Sequence, residues 1–369
     1  MQPSQSSDES HEDIVKFAKN VIVDPRITSR VRGFDVPFYQ AGLAGYSDGA
    51  MRLIARQHGC PFCVTEALLD RTLICGGKGR RKEDPDILSE EWVAIEGDRV
   101  SSLVDHPIAG QVIGTNPDEM AKGASILVEM GYDVIDVNLA CPVKRVRRRN
   151  RGGYFLSFPK GACEILTEVR SAVPENIPTS VKLRRGWDDT ELSKNNFYNI
   201  FDHAYSAGYS WTTVHPRTVE QRYRGPSDWL FLSELTTRRP DALVFGSGDI
   251  WCAADIFRMM KQTGVHGVSV ARGCIGNPWI FTQARKLMAG SYPHHPTIEE
   301  QRTVLLEHLF LCNQLHGEKK GSRLMRKFGI QFSKFHPETD EVKQGFIKAE
   351  SIKEWKNVIE KFYHLSSNC

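Results

Sequence analysis

Eight short apolar runs, most of them followed by a helix-length segment, constrain this 369-residue chain more than any other feature. They are Phe38–Ala41, Phe62–Thr65, Ile108–Ile113, Val134–Leu139, Thr179–Leu183, Trp211–Val214, Ala242–Phe245 and Val268–Val270, with helical spacing in segments such as Met51–His58 and Glu119–Met130. Strands that alternate with helices need crossover connections and so pair in parallel. Eight such units over roughly 250 residues are what a closed (β/α)8 barrel requires. A doubly wound open sheet is the competing α/β architecture. After Met288–Pro293 the strand signal stops. Thr297–Phe362 reads as helices, with an apolar stripe of Val304, Leu305, Leu306, Leu309, Phe310 and Leu311. The expected division is an N-terminal arm over 1–33, a barrel over 34–292 and a helical domain over 293–369.

No run approaches the ~18 apolar residues of a membrane span, and the polar, acidic amino terminus MQPSQSSDESHED is unlike a secretory leader. Nine cysteines, an odd number, suit a reducing compartment, so free thiols and a cytoplasmic location are expected. A net charge of +3 announces no partner, but its distribution is uneven. Residues 144–151 hold six Lys or Arg and no acid, and 316–361 hold eleven against seven Asp or Glu. A charge run is usually a solvated face. That reading fits the tail as well as a binding role does.

The loop is different, because Lys144, Arg145, Arg147, Arg148, Arg149 and Arg151 directly follow Cys141-Pro142 at the end of an apolar strand. A thiol acting on a polyanion's base needs both a buried anchor and cationic access, so this stretch reads as chemistry on nucleic acid. In a barrel, side chains at the carboxyl ends of strands converge on one mouth. Gln111, Asn138, Cys141, Lys182, Arg184, His215, Arg217 and Gly248 all fall there. Small residues end the last two strands, in Phe245-Gly246-Ser247-Gly248-Asp249-Ile250 and in Ala271-Arg272-Gly273-Cys274-Ile275-Gly276. Backbone amides can approach a phosphate there and Arg272 can add charge, so a phosphorylated cofactor is expected. No G-x-G-x-x-G dinucleotide fingerprint opens a helix after an early strand. Cys60-Pro61-Phe62-Cys63 has no matching second pair and is read as packing, and the histidines form no metal constellation in sequence. No metal is expected.

These motifs, in this order, resemble the flavin-dependent tRNA-dihydrouridine synthases. The resemblance spans about residues 36–335. It runs through Ala44-Gly45-Tyr46-Ser47-Asp48, Thr65-Glu66, Gln111-Val112-Ile113-Gly114, Asp136-Val137-Asn138 with Cys141-Pro142, and Val181-Lys182-Leu183-Arg184 with Gly186-Trp187. It continues through His215-Pro216-Arg217-Thr218, Tyr223-Arg224-Gly225, Gly248-Asp249-Ile250, Arg272-Gly273 and Arg326-Lys327. It implies a barrel holding FMN, a helical domain that helps to grip tRNA, and reduction of a uracil double bond with electrons from NADPH. By the same likeness, Gly42, Leu43 and Ala44 lie along the flavin, Gln111 and Lys182 bond its ring, and His215 approaches the ring or phosphate end. Ser247, Gly248, Asp249, Ala271 and Arg272 form the phosphate cradle. Cys141 is implied as the proton donor, with Asn138 and Arg184 beside flavin or substrate. The chain departs from the family pattern at Gly42-Leu43, Ala140, Ser247 and Ala271.

The chemistry is consistent with that likeness. No ordinary side chain donates hydride, so a cofactor must supply it. A thiol with a pKa near about 8.5 can supply the proton. The six loop cations would lower that pKa if they faced the thiol, so they are expected to point outward to RNA phosphates. Tyr223, Arg224 and Trp229 are rim candidates for holding an extruded base, or else pack as ordinary aromatics. A flavin reductase of a small pyrimidine or enone, and an RNA-binding barrel without catalysis, are the alternatives. No protein partner is expected, and the chain is read as a monomer.

Overall fold

The structure is a computed structural model. It describes residues 10–76 and 105–364, together with the backbone of two strands, Trp92–Glu96 and Arg99–Leu103. The first residues of the expected N-terminal arm, 1–9, and the last of the expected helical domain, 365–369, lie outside the described residues.

The first helix, α1 (His11–Lys19), is capped by Ser10, whose hydroxyl accepts the Asp13 N–H; α2 (Pro25–Thr28) follows Asp24, which caps it through Arg26. Then come β1 (Phe38–Gln40), α3 (Gly49–Gln57), β2 (Cys63–Val64), β3 (Leu68–Leu69) and α4 (Asp70–Ile74). β4 (Trp92–Glu96) and β5 (Arg99–Leu103) form a separate antiparallel hairpin. The alternation resumes with β6 (Ile108–Ile113), α5 (Pro117–Glu129), β7 (Val134–Asn138), α6 (Lys144–Arg147), α7 (Pro159–Ala172), β8 (Thr179–Arg184) and α8 (Glu191–Ser206). β9 (Trp211–His215), α9 (Trp229–Arg238), β10 (Val244–Ser247), α10 (Ala253–Thr263), β11 (Gly267–Val270) and α11 (Trp279–Met288) complete it.

Eight strands close into a ring in the order β1-β2-β6-β7-β8-β9-β10-β11, every neighbouring pair parallel, and β11 pairs back onto β1. The closed barrel excludes the open sheet. β3 adds only a short flap on β6. The hairpin has no counterpart among the eight expected runs, although Gly97-Asp98 between two alternating segments is a two-residue turn signal.

The amino-terminal segment packs as a plug. Ile27, Val31 and Phe34 share a buried cluster with Tyr39, Phe62, Trp211 and Phe245 from the barrel strands. Phe34 stacks on Phe62 with ring centroids 4.9 Å apart. The plug leaves the opposite end, where the strands terminate, as the mouth.

The helical region follows as α12 (Ile298–His316), α13 (Glu318–Phe332), α14 (Thr339–Lys348) and α15 (Ile352–Phe362). α12 begins with a reciprocal capping box between Thr297 and Glu300. This region shares one continuous apolar core with the barrel. Trp279 of α11 meets Phe332 and Phe335 edge-on at 5.6 Å, and Tyr46 meets Phe328 at 5.7 Å. Gly276 stands at positive φ with its α-carbon so near α13 that a Cβ would lie 2.7 Å from Gln331 and 2.8 Å from the Phe332 nitrogen.

Candidate active site

Parallel register brings the polar strand ends to one level. Gln111 faces Asp136, Asn138 faces Lys182, and Arg184 faces His215 in adjacent strands. All of these but Asp136, together with Gly42–Ala44, Cys141, Ser247–Asp249, Ala271 and Arg272, line a cleft that is partly open to solvent. Every cofactor residue expected from the sequence therefore sits at one cavity, as do Asn138, Cys141 and Arg184.

Hydrogen bonding divides their work more finely. The Asn138 carbonyl oxygen accepts the backbone N–H groups of Ala140 and Cys141, both at 3.1 Å, while its amide donates to Gln111 Oε1 at 2.7 Å. Gln111 in turn donates to Asp136 at 2.7 Å, and Ser180 donates to the other Asp136 oxygen at 2.6 Å. Asn138 is thus the brace that shapes the Cys141 turn. Arg184, 2% exposed, donates to the carbonyls of Ala140, Thr218 and Arg222 and lies over the Tyr223 ring. It ties three segments of the mouth together.

Burial pushes the Cys141 thiol above its ordinary value, opposed by the Val143 backbone and by the Arg184 charge. The loop cations take no part. Lys144, Arg145, Arg148 and Arg149 are exposed, Arg147 lies over the Trp187 ring at 5.0 Å, and Arg151 is half-buried with its Nε 3.4 Å from Thr115. The thiol stays protonated at neutral pH. Burial lowers Lys182 to about 8, with Asp136 opposing and Arg184 reinforcing the change. Burial raises Asp136 to about 6 against its hydrogen bonds from Ser180 and Gln111 and the Lys182 charge.

The far side is cationic. His215, 8% exposed, is held well below the ordinary histidine value by burial and by the charges of Arg184, Lys182, Arg217 and Arg272. It is neutral, and its Nε2 finds no partner among the described residues. Asp249 was expected in a phosphate cradle, but its carboxylate already accepts from Arg217 at 2.6 Å, from the Ser227 N–H at 2.7 Å and from Arg272 at 3.3 Å. Only its backbone is left to face an anion. Gly248 and Asp249 both stand at positive φ, +110° and +56°, which turns the chain sharply at the cavity wall. A Cβ on Gly248 would meet the His215 ring and Ser227 at 3.0 Å.

Some rim expectations shift. Trp229 begins α9 and donates from its indole to the Gly248 carbonyl at 3.1 Å, so it supports the turn from behind. Arg224 bonds the Glu220 carbonyl and is absent from the lining. Tyr223 remains at the mouth, 54% exposed. The sequence reading missed Trp251, which with Tyr223 brackets the Arg272 guanidinium at 4.7 and 4.8 Å from the ring centroids. Its place directly after Gly248-Asp249-Ile250 was the available signal.

Residues 39–366 match the model of the dihydrouridine synthase family. The chain belongs to this family. A probable tRNA-dihydrouridine synthase of Treponema pallidum is 29% identical over 86% of the chain and 91% of its own length. The tRNA-dihydrouridine synthase B of Pasteurella multocida is 27% identical over 89% and 92%, and a probable tRNA-dihydrouridine synthase of Aquifex aeolicus is 30% identical over 87% and 94%. As a member of the dihydrouridine synthase family the chain is an oxidoreductase. Among its described residues no helix is long and apolar enough to cross a membrane.

The residues of the cavity fit a flavin. Ala41–Ala44 offer a small-residue wall, and Gly42 is packed so closely that a Cβ would stand 2.3 Å from the Thr65 carbonyl oxygen. Four cationic side chains surround the unpartnered His215 nitrogen, the setting of an anionic group.

Proposed function

We propose that the chain reduces the C5–C6 double bond of uridines in tRNA, with FMN as the bound cofactor and NADPH as its electron source. FMN, when bound, supplies the hydride. Gly42, Leu43 and Ala44 flank its ring, Lys182 and Gln111 bond it, and Ser247, the backbone of Gly248 and Asp249, Ala271 and Arg272 hold its phosphate. The Cys141 thiol holds the proton that the pyrimidine carbon takes up. The observation that carries this reading is a thiol kept protonated by burial, lining one cavity with the Gly42–Ala44 wall and Lys182.

An RNA uridine must leave its stack to reach such a cavity, and contacts at the mouth offset the unstacking. Tyr223 and Trp251 line the cavity and are the aromatic candidates for that contact, with Arg272 between them. Lys144, Arg145, Arg148 and Arg149 stand exposed just beyond Val143, which lines the cavity, and would meet the phosphates. Residues 34–292 are taken as the catalytic unit and 293–369 as a helical unit that helps to grip RNA.

The test uses unmodified tRNA with the purified flavoprotein. Cys141→Ala should abolish NADPH oxidation that depends on tRNA while leaving tRNA affinity and its salt dependence intact. Replacing the four exposed loop cations by Ala should weaken binding and flatten the salt slope by about 0.7–0.9 per lost phosphate contact. Equal rates with free uridine and with tRNA, or equal losses of affinity in both variants, would overturn the assignment.

A further inference from the structure

Helix α12 carries His308, Cys312 and His316 at four-residue spacing, which places them on one face. That face meets Asp48, the N-cap of α3. The Nε2 of His316 lies 2.8 Å from Asp48 Oδ2, and the other Asp48 oxygen accepts the Met51 N–H at 3.1 Å. One ligand atom from each of Asp48, Cys312 and His316 lies within 4.8 Å of the other two. The cluster is sealed from solvent: Cys312 is 0% exposed, Asp48 6%, and the His316 side chain 5%. His308, 2% exposed, stands one turn before Cys312 and close enough to Asp48 for their charges to interact.

An ion pair alone does not account for the surrounding atoms. His316 Nδ1 and both ring nitrogens of His308 are buried without a partner among the described residues. We propose that Asp48, Cys312 and His316 form a binding site for a divalent transition metal of the zinc class, with His308 one turn earlier on the same helix face. Donors four residues apart on a helix present to one ion, and a mixed sulfur, nitrogen and oxygen set selects zinc-like ions over magnesium or calcium.

Charge and protons balance. Cys312 gives its thiol proton to solvent and gains a metal–sulfur bond; His316 moves the proton that its Nε2 donates to Asp48 onto Nδ1, and the freed Nε2 and the Asp48 oxygen each bind the metal. One carboxylate and one thiolate neutralise the dication. The cation nearest the cluster is Lys327, which donates to the Gly45 carbonyl and lies over the rings of Tyr46 and Phe328. The ion would join the helical region to the turn that precedes α3 and lines the flavin cavity. This site stands independently of the reading of that cavity.

Co2+ is the probe, added to the full-length, flavin-loaded protein after dialysis against a chelator. Stoichiometric binding should give a thiolate-to-cobalt charge-transfer band and tetrahedral visible bands in the difference spectrum, both displaced by Zn2+. Cys312→Ser should lose the charge-transfer band, and His316→Gln should weaken binding by more than about 100-fold. Cys60→Ser and Cys63→Ser, at the other buried thiol pair, should bind as the parent does. Flavin content reports whether each variant is folded. Absence of stoichiometric Co2+ binding, or an unchanged spectrum in folded Cys312→Ser, overturns the site.

Discussion

Replacing Lys182 by Met should stabilise the flavin-free protein while ending its turnover. The ammonium stands at the end of β8, and burial has lowered it from 10.5 to about 8. At about 1.4 kcal/mol per pH unit, carrying that charge at pH 7 costs the folded state roughly 3 kcal/mol. Lys182 lines a cleft that admits water, and Asp136 loses its countercharge in the variant, so the expected gain is about 1–2 kcal/mol. The sign follows from proton counts. A lysine with a depressed folded-state pKa sheds its proton first in the folded chain. Between about 8 and 10.5 the unfolded chain therefore holds more protons, and the parent gains stability as pH rises through that window. The variant's advantage should be present at pH 7 and largely gone near the upper end. Urea denaturation of both flavin-free proteins at the two pH values measures it. A variant less stable than the parent at pH 7, or a gap independent of pH, would refute the argument that a buried charge is held here at a cost to folding.

Four further outcomes are expected. Gly248→Ala, at φ +110° and with its new methyl 3.0 Å from the His215 ring, should fold but purify with little flavin; an undiminished flavin ratio would remove this turn from the phosphate site. Asn138→Ala strips the acceptor from the Ala140 and Cys141 N–H groups, and should lower kcat by about 100-fold through misplacement of the thiol, with tRNA Kd unchanged. A parallel loss in Kd would assign Asn138 to substrate binding instead. Arg52→Met leaves Asp105 with only part of its buried pairing and should cost about 3 kcal/mol on denaturation; a loss below about 1 kcal/mol would show that Arg56 suffices. Because burial holds Cys141 above its ordinary value, the loss of turnover at saturating tRNA that belongs to the thiol should come on the alkaline side of 9, after any step set by Lys182 near 8. A profile with no loss attributable to a group above 9 would mean that the thiol is not the acid.

The barrel was legible because its signal is local. Apolar runs of strand length recur with helices between them, and closure follows from their number and parallel pairing. Even β2, only two residues long, lay inside the run Phe62–Thr65. The hairpin lay outside the eight apolar runs from which the barrel was read. Site membership was legible through strand ends, but roles were not. Nothing in the spacing of Asn138 and Cys141 tells that the amide braces the thiol's own turn, or that the Arg147 guanidinium stands over the Trp187 ring. Such contacts depend on tertiary approach. The histidine and cysteine spacing on α12 was visible too, yet Asp48 stands 268 residues from His316 in sequence, and only folding brings them together.

One seam of the ring has a consequence for how the chain can be divided. β1 meets β2 at a single register pair, Gln40 with Cys63, and β2 meets β6 at two, whereas β8 and β9 share five. The hoop is buckled where it has the fewest rungs. The helix beside that buckle, α3, is the one on which α12 rests, through the bonded pairs Asp48 with His316 and Gln57 with Glu307. The last quarter of the sequence therefore keeps the first strands shut, and a chain severed after the eighth strand's helix would part with its fastening as well as its tail.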